Sequence, residues 1–495
     1  MVQGEGPRVF NRAADQVVTA DGLHERMGQT VTEAPIAVVG SGASGMFQAL
    51  YLAKVRRKPV VLIEQAPVIG GMFASEQTAF GPADQGAYLL QECGHAGLDA
   101  LFFECLPPQD WHVLDGVRRD IAGNFFRGQL DQGSLYADLR KLPAADIARC
   151  LADIQARANG PVLDFDTAAN LAAYVESRFG PGVAEKFIVP LTQKIWRQPP
   201  DKLSAWAAKI VHLTRVVIHG PEDSLRLKEK AELDRVLGYP DQLSFPPARL
   251  AHHRRALYPR RFGLQSVADG LKAALIRHGV QIITGAKVTG VQLSGSAVGA
   301  ITVEMAEGVA ALKVSGLLWT TALPAALALL GGSGGALANP PIPHRLVYLF
   351  LDRPPQTGPL YWFWSYDPAN AWVRISVPGA YCPAANDGGR YPICIETHVP
   401  QAAAGDAEVV NQVTAELRSA GIVTAATQVV GSHVLKGLRG YFVPSLANLE
   451  SMQDQRAALD ARLPKNMYIS SQDLSSGVFY LPDILRASAP ILERM

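Results

Sequence analysis

The stretch "IAVVGSGASGMFQALYLAKVRRKPVVLIEQAPVIGGMF", residues 36–73, decides the fold. Its opening "IAVV" is an unbroken apolar run, as a parallel strand needs when both of its faces are covered. Gly40, Gly42 and Gly45 follow, and "SGMFQALYLAKV" then places apolar residues at helical spacing. "PVVLIE" reads as a second buried strand and ends on Glu64, nineteen residues past Gly45. Six residues further on stands the doublet Gly70-Gly71.

Strand, glycine turn, helix, strand and a terminal acid form a dinucleotide-binding pattern in which each residue has a physical task. Gly40 permits the tight turn, Gly42 lets the backbone approach a pyrophosphate, and Gly45 lets the helix pack closely on the sheet. The free N–H groups and dipole of the helix N-terminus favour negative charge, and Ser44 on its first turn joins the cofactor-facing set. Glu64 is placed to accept hydrogen bonds from ribose hydroxyls, and its charge argues against the 2′-phosphate of NADP. These residues alone fit NAD and FAD equally.

Composition narrows the class. The 495 residues are too many for one ordinary core, so two or three folding units are expected. Apolar residues make up 48% and charged residues 18%, a globular mixture, and a net charge of +1 offers no field for nucleic acid. The cysteines at 93, 105, 150, 382 and 394 lack metal-type spacing and suit buried thiols in a reducing compartment, so no metal is assigned. Residues 1–34 are polar and mixed in charge and read as a loosely ordered arm. No apolar run approaches the ~20 residues that span a bilayer, so a cytoplasmic protein is expected.

Six segments follow from the order of patterns: the arm, 1–34; a dinucleotide-binding part, 35–94; a mainly helical substrate-domain part, 95–255; a returning α/β part, 256–335; a sheet, 336–435; and a closing part, 436–495. The helical part includes "DTAANLAAYVESRFG" and the doubly charged "EDSLRLKEKAELDRV". The sheet is read from "RLVYLFLD", "LYWFWSY", "WVRISV" and "YPICIETHV". The chain thus passes twice between two domains.

The doublet in "IGGMF" turns the reading towards FAD. An acid followed by a glycine pair at this spacing resembles the flavin amine oxidase and protoporphyrinogen oxidase superfamily, in which the pair lies against the FAD. "FGPADQGAYLL" resembles its "F-D-x-G-x-H" segment, with Asp84 and Gly86 kept and Tyr88 in place of the histidine. "FIVPLTQKIWRQPPDKLSAWAA" resembles its "P-x-x-x-K-x-W-x-x-P-x-x-L-S" region, and "LYPRRFGLQSVADGLKAAL" with "GVQIITGAKVTGV" its second FAD segment. "YWFWSYDPANAWVRISVP" and "IETHV" are similar to the branch related to UDP-galactopyranose mutase. The resemblance implies an α/β, two-domain FAD-binding fold with a discontinuous Rossmann-like domain and a mixed helix-plus-sheet substrate domain. It also implies that the Val288 backbone meets the adenine, that Asp473 or Gln472 takes the ribityl contact, and that the helix opening at Leu481 points at the flavin. Met72 stands where the family usually has an arginine, and "ISSQDLSSGVFYLPDIL" replaces its "G-D" motif.

At the reaction centre the resemblance implies Phe479 and Tyr480 beside the flavin ring, and Trp196 carries the helix-region match. Arg374, a charge inside an apolar strand, needs a partner: an anionic group on the substrate, or Glu396 in a structural ion pair. The basic run "HHRRALYPRR", residues 252–261, is either an attractor for anions or a solvated loop. The expected function is an FAD-dependent oxidoreductase that dehydrogenates a small molecule at a C–N or C–C bond in a biosynthetic pathway. The alternatives are a non-redox nucleotide-sugar mutase and a non-catalytic FAD-binding partner. The expected partner is a small substrate, with anionic character favoured, and a homo-oligomer is left open.

Overall fold

The computed structural model describes residues 33–86, 89–157, 160–250, 254–398, 405–436 and 440–495. Tyr88, the His252–His253 pair and residues 1–32 of the arm lie outside these.

A five-stranded parallel sheet forms the first centre. Its order is Gln281–Ile283, Val60–Ile63, Ile36–Val39, Gly316–Trp319, Met467–Ile469. The strands come from three separate stretches of chain. Alternation sends their side chains into two cores. Val38 and Leu62 pack with Met46, Phe47, Leu271 and Leu485, from the helices Ala43–Leu50, Gln265–Arg277 and Leu481–Arg494. Ala37, Val39, Val61 and Ile63 pack with Val288, Ile301 and Leu312 from the antiparallel meander Lys287–Ser294, Ala297–Met305, Gly308–Lys313. The result is three layers, with the carboxyl ends of the parallel strands opening onto the glycine turn.

The second centre is a seven-stranded sheet in the order Val429–Lys436, His344–Leu351, Tyr391–His398, Trp372–Ser376, Trp362–Ser365, Ala122–Phe126, Gln129–Asp131. Its pairings are antiparallel except for Trp362–Ser365 with Ala122–Phe126. The last two strands come from within the stretch 95–255 that is expected to be mainly helical. They form a hairpin whose central residues, Arg127 and Gly128, have φ of 53° and 74°. Positive φ at both positions matches the right-handed strand twist, but sequence advertises such turns with Asn or Asp, not Arg. Helices such as Ala144–Arg157 and Leu171–Phe179 still dominate the rest of that part.

Asp84 joins the two centres. Its carboxylate accepts from Ser75 Oγ (2.5 Å), Tyr258 Oη (2.6 Å) and the Leu264 N–H (2.9 Å). Its own N–H donates to Tyr348 Oη on the seven-stranded sheet, at 2.9 Å. Burial raises its pKa against these hydrogen bonds. No helix among the described residues is long and apolar enough to cross a membrane.

Candidate functional site

The glycine turn closes on every side but one. At Gly40, with φ of 101°, a Cβ would stand 2.5 Å from Thr321 Cγ2. At Gly45 it would collide with the Gly40 carbonyl oxygen, so the helix sits directly on the turn. The doublet docks here too: the Gly70 N–H donates to Ser41 O at 3.1 Å, and a Cβ on Gly71 would come within 2.9 Å of Gly42 Cα. Gly42 alone faces space, since a Cβ there meets no heavy atom within 4 Å.

Glu64 lies across the same opening. Its carboxylate accepts the Ser41 N–H (2.8 Å), Ser41 Oγ (2.7 Å) and the Ala66 N–H (2.8 Å). A carboxylate offers about four acceptor positions, so capacity for a ribose hydroxyl remains. Ser44 is half-buried on the first turn of the helix, and Met72, directly after the doublet, is 49% exposed. Val288 is buried in the meander, two residues past Ala286, whose N–H donates to Glu64 O. Beyond the last parallel strand, Ser471 Oγ is buried without a partner among the described residues. An open backbone at Gly42 and an orphan hydroxyl at the carboxyl edge of the sheet fit a dinucleotide lying across it.

Asp473 is held more locally than the ribityl assignment implies. One carboxylate oxygen accepts from the Ser475 N–H (3.1 Å) and Ser475 Oγ (2.5 Å), capping a single helical turn. Asp473 borders a cleft of ≈ 430 Å³ lined also by Arg456, Asp460 and Ser476. Gln472 Nε2 donates to Phe479 O at 3.0 Å. Leu481 begins the last helix and is buried, with Asp483 Oδ2 accepting the Tyr480 N–H at 3.0 Å and Lys209 Nζ at 2.8 Å.

The seven-stranded sheet supplies a second group. Trp364, Arg374 and Glu396 are register partners across three adjacent strands, so their side chains share one face. Arg374 donates from Nε (2.8 Å) and Nη2 (2.6 Å) to Glu396 Oε1, and its guanidinium lies 5.4 Å from the Trp364 ring centroid. The structural ion pair is therefore present. Burial works to lower the Arg374 pKa, but Glu396 beside it prevails and raises it. Trp362, on the same face, donates from Nε1 to Asp120 at 2.6 Å and has His212 with ring centroids 5.5 Å apart. Burial raises Asp120 despite that hydrogen bond.

Tyr480, before the last helix, and Tyr441 both lie near enough to Arg374 to feel its charge. Burial pushes Tyr480 up to about 12 and raises Tyr441, while the nearby charge of Arg374 opposes both shifts. The Tyr480 hydroxyl donates to Ile210 O at 3.2 Å. Arg374 and Tyr480 are thus brought together. Trp196 ends the helix Val189–Trp196 fully buried, with no hydrogen-bond partner for its indole N–H among the described residues, so no such bond ties it to that pair. Asp120, His212 and Tyr441 were not singled out in sequence, where each is an isolated polar residue with no spacing signal.

His212 has φ of 58° and a buried Nδ1 without a partner among the described residues. Burial, then the charge of Arg374, lowers its pKa to about 4. Burial, then Arg197, lowers His398 to about 4 as well. Both are neutral in the fold, whereas the unfolded chain takes up a proton near 6.5. The unfolded state therefore binds more protons between these values, and stability is full above that range and falls as pH drops through it. A loss on the order of 4 kcal/mol, about 2 from each histidine, is expected between about pH 7 and 5 in urea unfolding. The His212→Gln, His398→Gln double variant should lose most of that dependence; an unchanged slope refutes the assignment.

The NAD(P)-binding Rossmann-like domain family matches residues 38–101. No curated protein matches the chain. Among solved structures, reduced UDP-galactopyranose mutase is similar with TM-score 0.70 at 15% identity, over 94% of each chain. A candidate protoporphyrinogen oxidase from Exiguobacterium sp. 255-15 is similar with TM-score 0.65 at 16% identity, over 94% of this chain and 99% of that one. Wild-type putrescine oxidase bound to putrescine gives TM-score 0.57 at 13% identity, over 93% and 98%. The chain has the fold that these three proteins share, a dinucleotide-binding domain interleaved with a sheet-and-helix domain, and this is the fold that the sequence resemblance implies.

Proposed function

We propose that the chain is an FAD-dependent oxidoreductase acting on a small molecule in the chamber between Tyr480 and Arg374. One observation carries the reading: the glycine turn is closed everywhere except at Gly42, where a pyrophosphate would meet bare backbone at a helix N-terminus. Gly40, Gly45, Gly70 and Gly71 shape the turn, Glu64 and Ser44 would meet the ribose and phosphate, and Val288 the adenine. FAD bound there would supply the redox chemistry.

The chain's own residues would orient the substrate and handle protons. Trp362 and Trp364 on one face of the sheet, with Tyr480 and Tyr441 near Arg374, would give the substrate aromatic walls around a charged centre. Tyr480, protonated at neutral pH, gives its one hydroxyl hydrogen to Ile210 O and keeps the oxygen as an acceptor towards the substrate. Neutral His212, with its unpartnered Nδ1, can hold a polar group of the substrate by a hydrogen bond, while burial and Arg374 keep it a weak base. Arg374 is committed to Glu396, which leaves its Nη1 edge for an electron-rich group on the substrate.

The purified protein should be yellow, and anaerobic addition of the right substrate should bleach the flavin absorption. A colourless protein that takes up no added FAD refutes the reading. The second reading, a non-redox mutase acting on a nucleotide sugar, is supported by the guanidinium in the chamber. It predicts turnover only after the flavin has been chemically reduced, without net bleaching by substrate.

A further inference from the structure

A cleft of ≈ 300 Å³ lies beside the first turns of the last helix and is lined by Gln91, Arg119, Arg254, Tyr480 and Arg486 together with the carboxylates of Glu92 and Asp483. It gathers three guanidiniums from distant parts of the chain. Arg119 precedes the strand Ala122–Phe126, Arg254 precedes Ala256–Pro259, and Arg486 is on the helix Leu481–Arg494.

The two carboxylates are already engaged by bases that do not line the cleft. Glu92 Oε1 accepts from Arg255 Nε (2.9 Å) and Nη2, and Oε2 from the Arg255 N–H (3.0 Å). Asp483 Oδ2 accepts from Lys209 Nζ (2.8 Å) and the Tyr480 N–H (3.0 Å). Among the described residues, the hydrogen bonds that Arg119 and Arg486 make go to neutral groups, although Arg119 also feels Glu92 and Asp120. Arg119 Nη2 donates to Gln91 Oε1 at 3.0 Å, and its buried Nε has no acceptor. Arg486 Nε donates to Cys93 O at 2.9 Å. Arg254 lies against bare backbone, where a Cβ on Gly94 would come 2.5 Å from its Nε. Three guanidiniums beside two carboxylates that Arg255 and Lys209 already engage leave the cleft with an excess of positive charge, which a bound anion would relieve.

We propose that Arg119, Arg254 and Arg486 bind the phosphate or diphosphate group of the substrate, so that the reacting end passes Tyr480 into the chamber. This rests on the reading of Tyr480 as a chamber wall and deepens it to a substrate class. Planar guanidiniums match phosphoryl oxygens bidentately, and three of them balance the two to three charges of a diphosphate, where a single carboxylate would need only one. Tyr480 belongs to both spaces: it lines the cleft, and Arg374 and Asp120 act on its hydroxyl. Arg254 also gives part of the basic run at 252–261 a role other than a solvated loop.

The test is calorimetric titration of the purified protein, in the presence of excess FAD, with pyrophosphate and, separately, with acetate. Excess FAD keeps pyrophosphate out of the glycine turn. Saturable pyrophosphate binding that acetate does not reproduce is expected. Arg119→Met and Arg486→Met should each weaken it by about tenfold or more, the loss of a charge-assisted contact. Arg254→Met provides a third variant if either of these fails to fold, as judged by its thermal melt. No saturable pyrophosphate heat, equal binding of acetate, or variants that bind like the parent protein each overturn the proposal. The visible flavin spectrum of the same sample reports on the FAD reading separately, so the two cannot fail unnoticed together.

Discussion

Replacing Glu396 by glutamine should lower the unfolding free energy by about 3 kcal/mol, since removing one partner of a buried ion pair strands the other charge. Glu396 is 5% exposed, and both of its bonds to Arg374 end on one oxygen, Oε1. Glutamine keeps the shape but not the charge. The guanidinium would be left over the Trp364 ring, with Asp120 as a further carboxyl that feels its charge. Gly86 makes the site unforgiving: a Cβ there would already stand 3.1 Å from Oε1, so the carboxylate is clamped between the sheet and the 84–86 turn. Arg374→Met combined with Glu396→Leu removes both charges and should recover much of the loss, because replacing a whole buried pair is far less costly than breaking it. Urea unfolding of Glu396→Gln and of the double variant checks this. A Glu396→Gln protein within about 0.5 kcal/mol of the parent would show the pair to be energetically idle.

The Arg374–Glu396 pair was legible in the sequence because a charge within an apolar strand must find a partner, and a neighbouring strand offered one. The glycine turn was legible for the same reason: its tasks are local, and each residue type answers a steric demand within a few positions. The strand Ala122–Phe126 was not. Its partner in the sheet, Trp362–Ser365, lies some 240 residues away, and the hairpin that follows turns on Arg127 and Gly128 and not on a residue pair that announces a turn. The chamber shows the same limit. Asp120, His212 and Tyr441 converge from three distant segments, and no period or spacing relates them. Asp473 is a different case: likeness to a motif suggests a cofactor contact, and a serine two residues on, Ser475, occupies one of its two carboxylate oxygens.

Gly42 and Gly45 stand three residues apart and should fail in opposite ways when each is replaced by alanine. At Gly45 the new methyl would fall on the Gly40 carbonyl oxygen and within 2.8 Å of Thr320 Oγ1. Thr320 Oγ1 is itself fixed, donating to Val39 O at 2.8 Å, so neither neighbour can yield without moving the first strand or the helix. Overpacking of this kind should cost about 3 kcal/mol, and cofactor loss would follow from the displaced helix. At Gly42 the backbone has φ of −63°, which alanine adopts freely, and the methyl meets nothing in the protein. The fold should lose no more than about 1 kcal/mol, the difference between glycine and alanine at a helix N-cap. The methyl would instead occupy the space where the pyrophosphate approaches, and FAD affinity should drop by about tenfold or more. Thermal melting without added FAD and flavin fluorescence titration separate the two effects. If Gly42→Ala binds FAD as tightly as the parent protein, the pyrophosphate does not lie on this turn, and the cofactor reading falls with it.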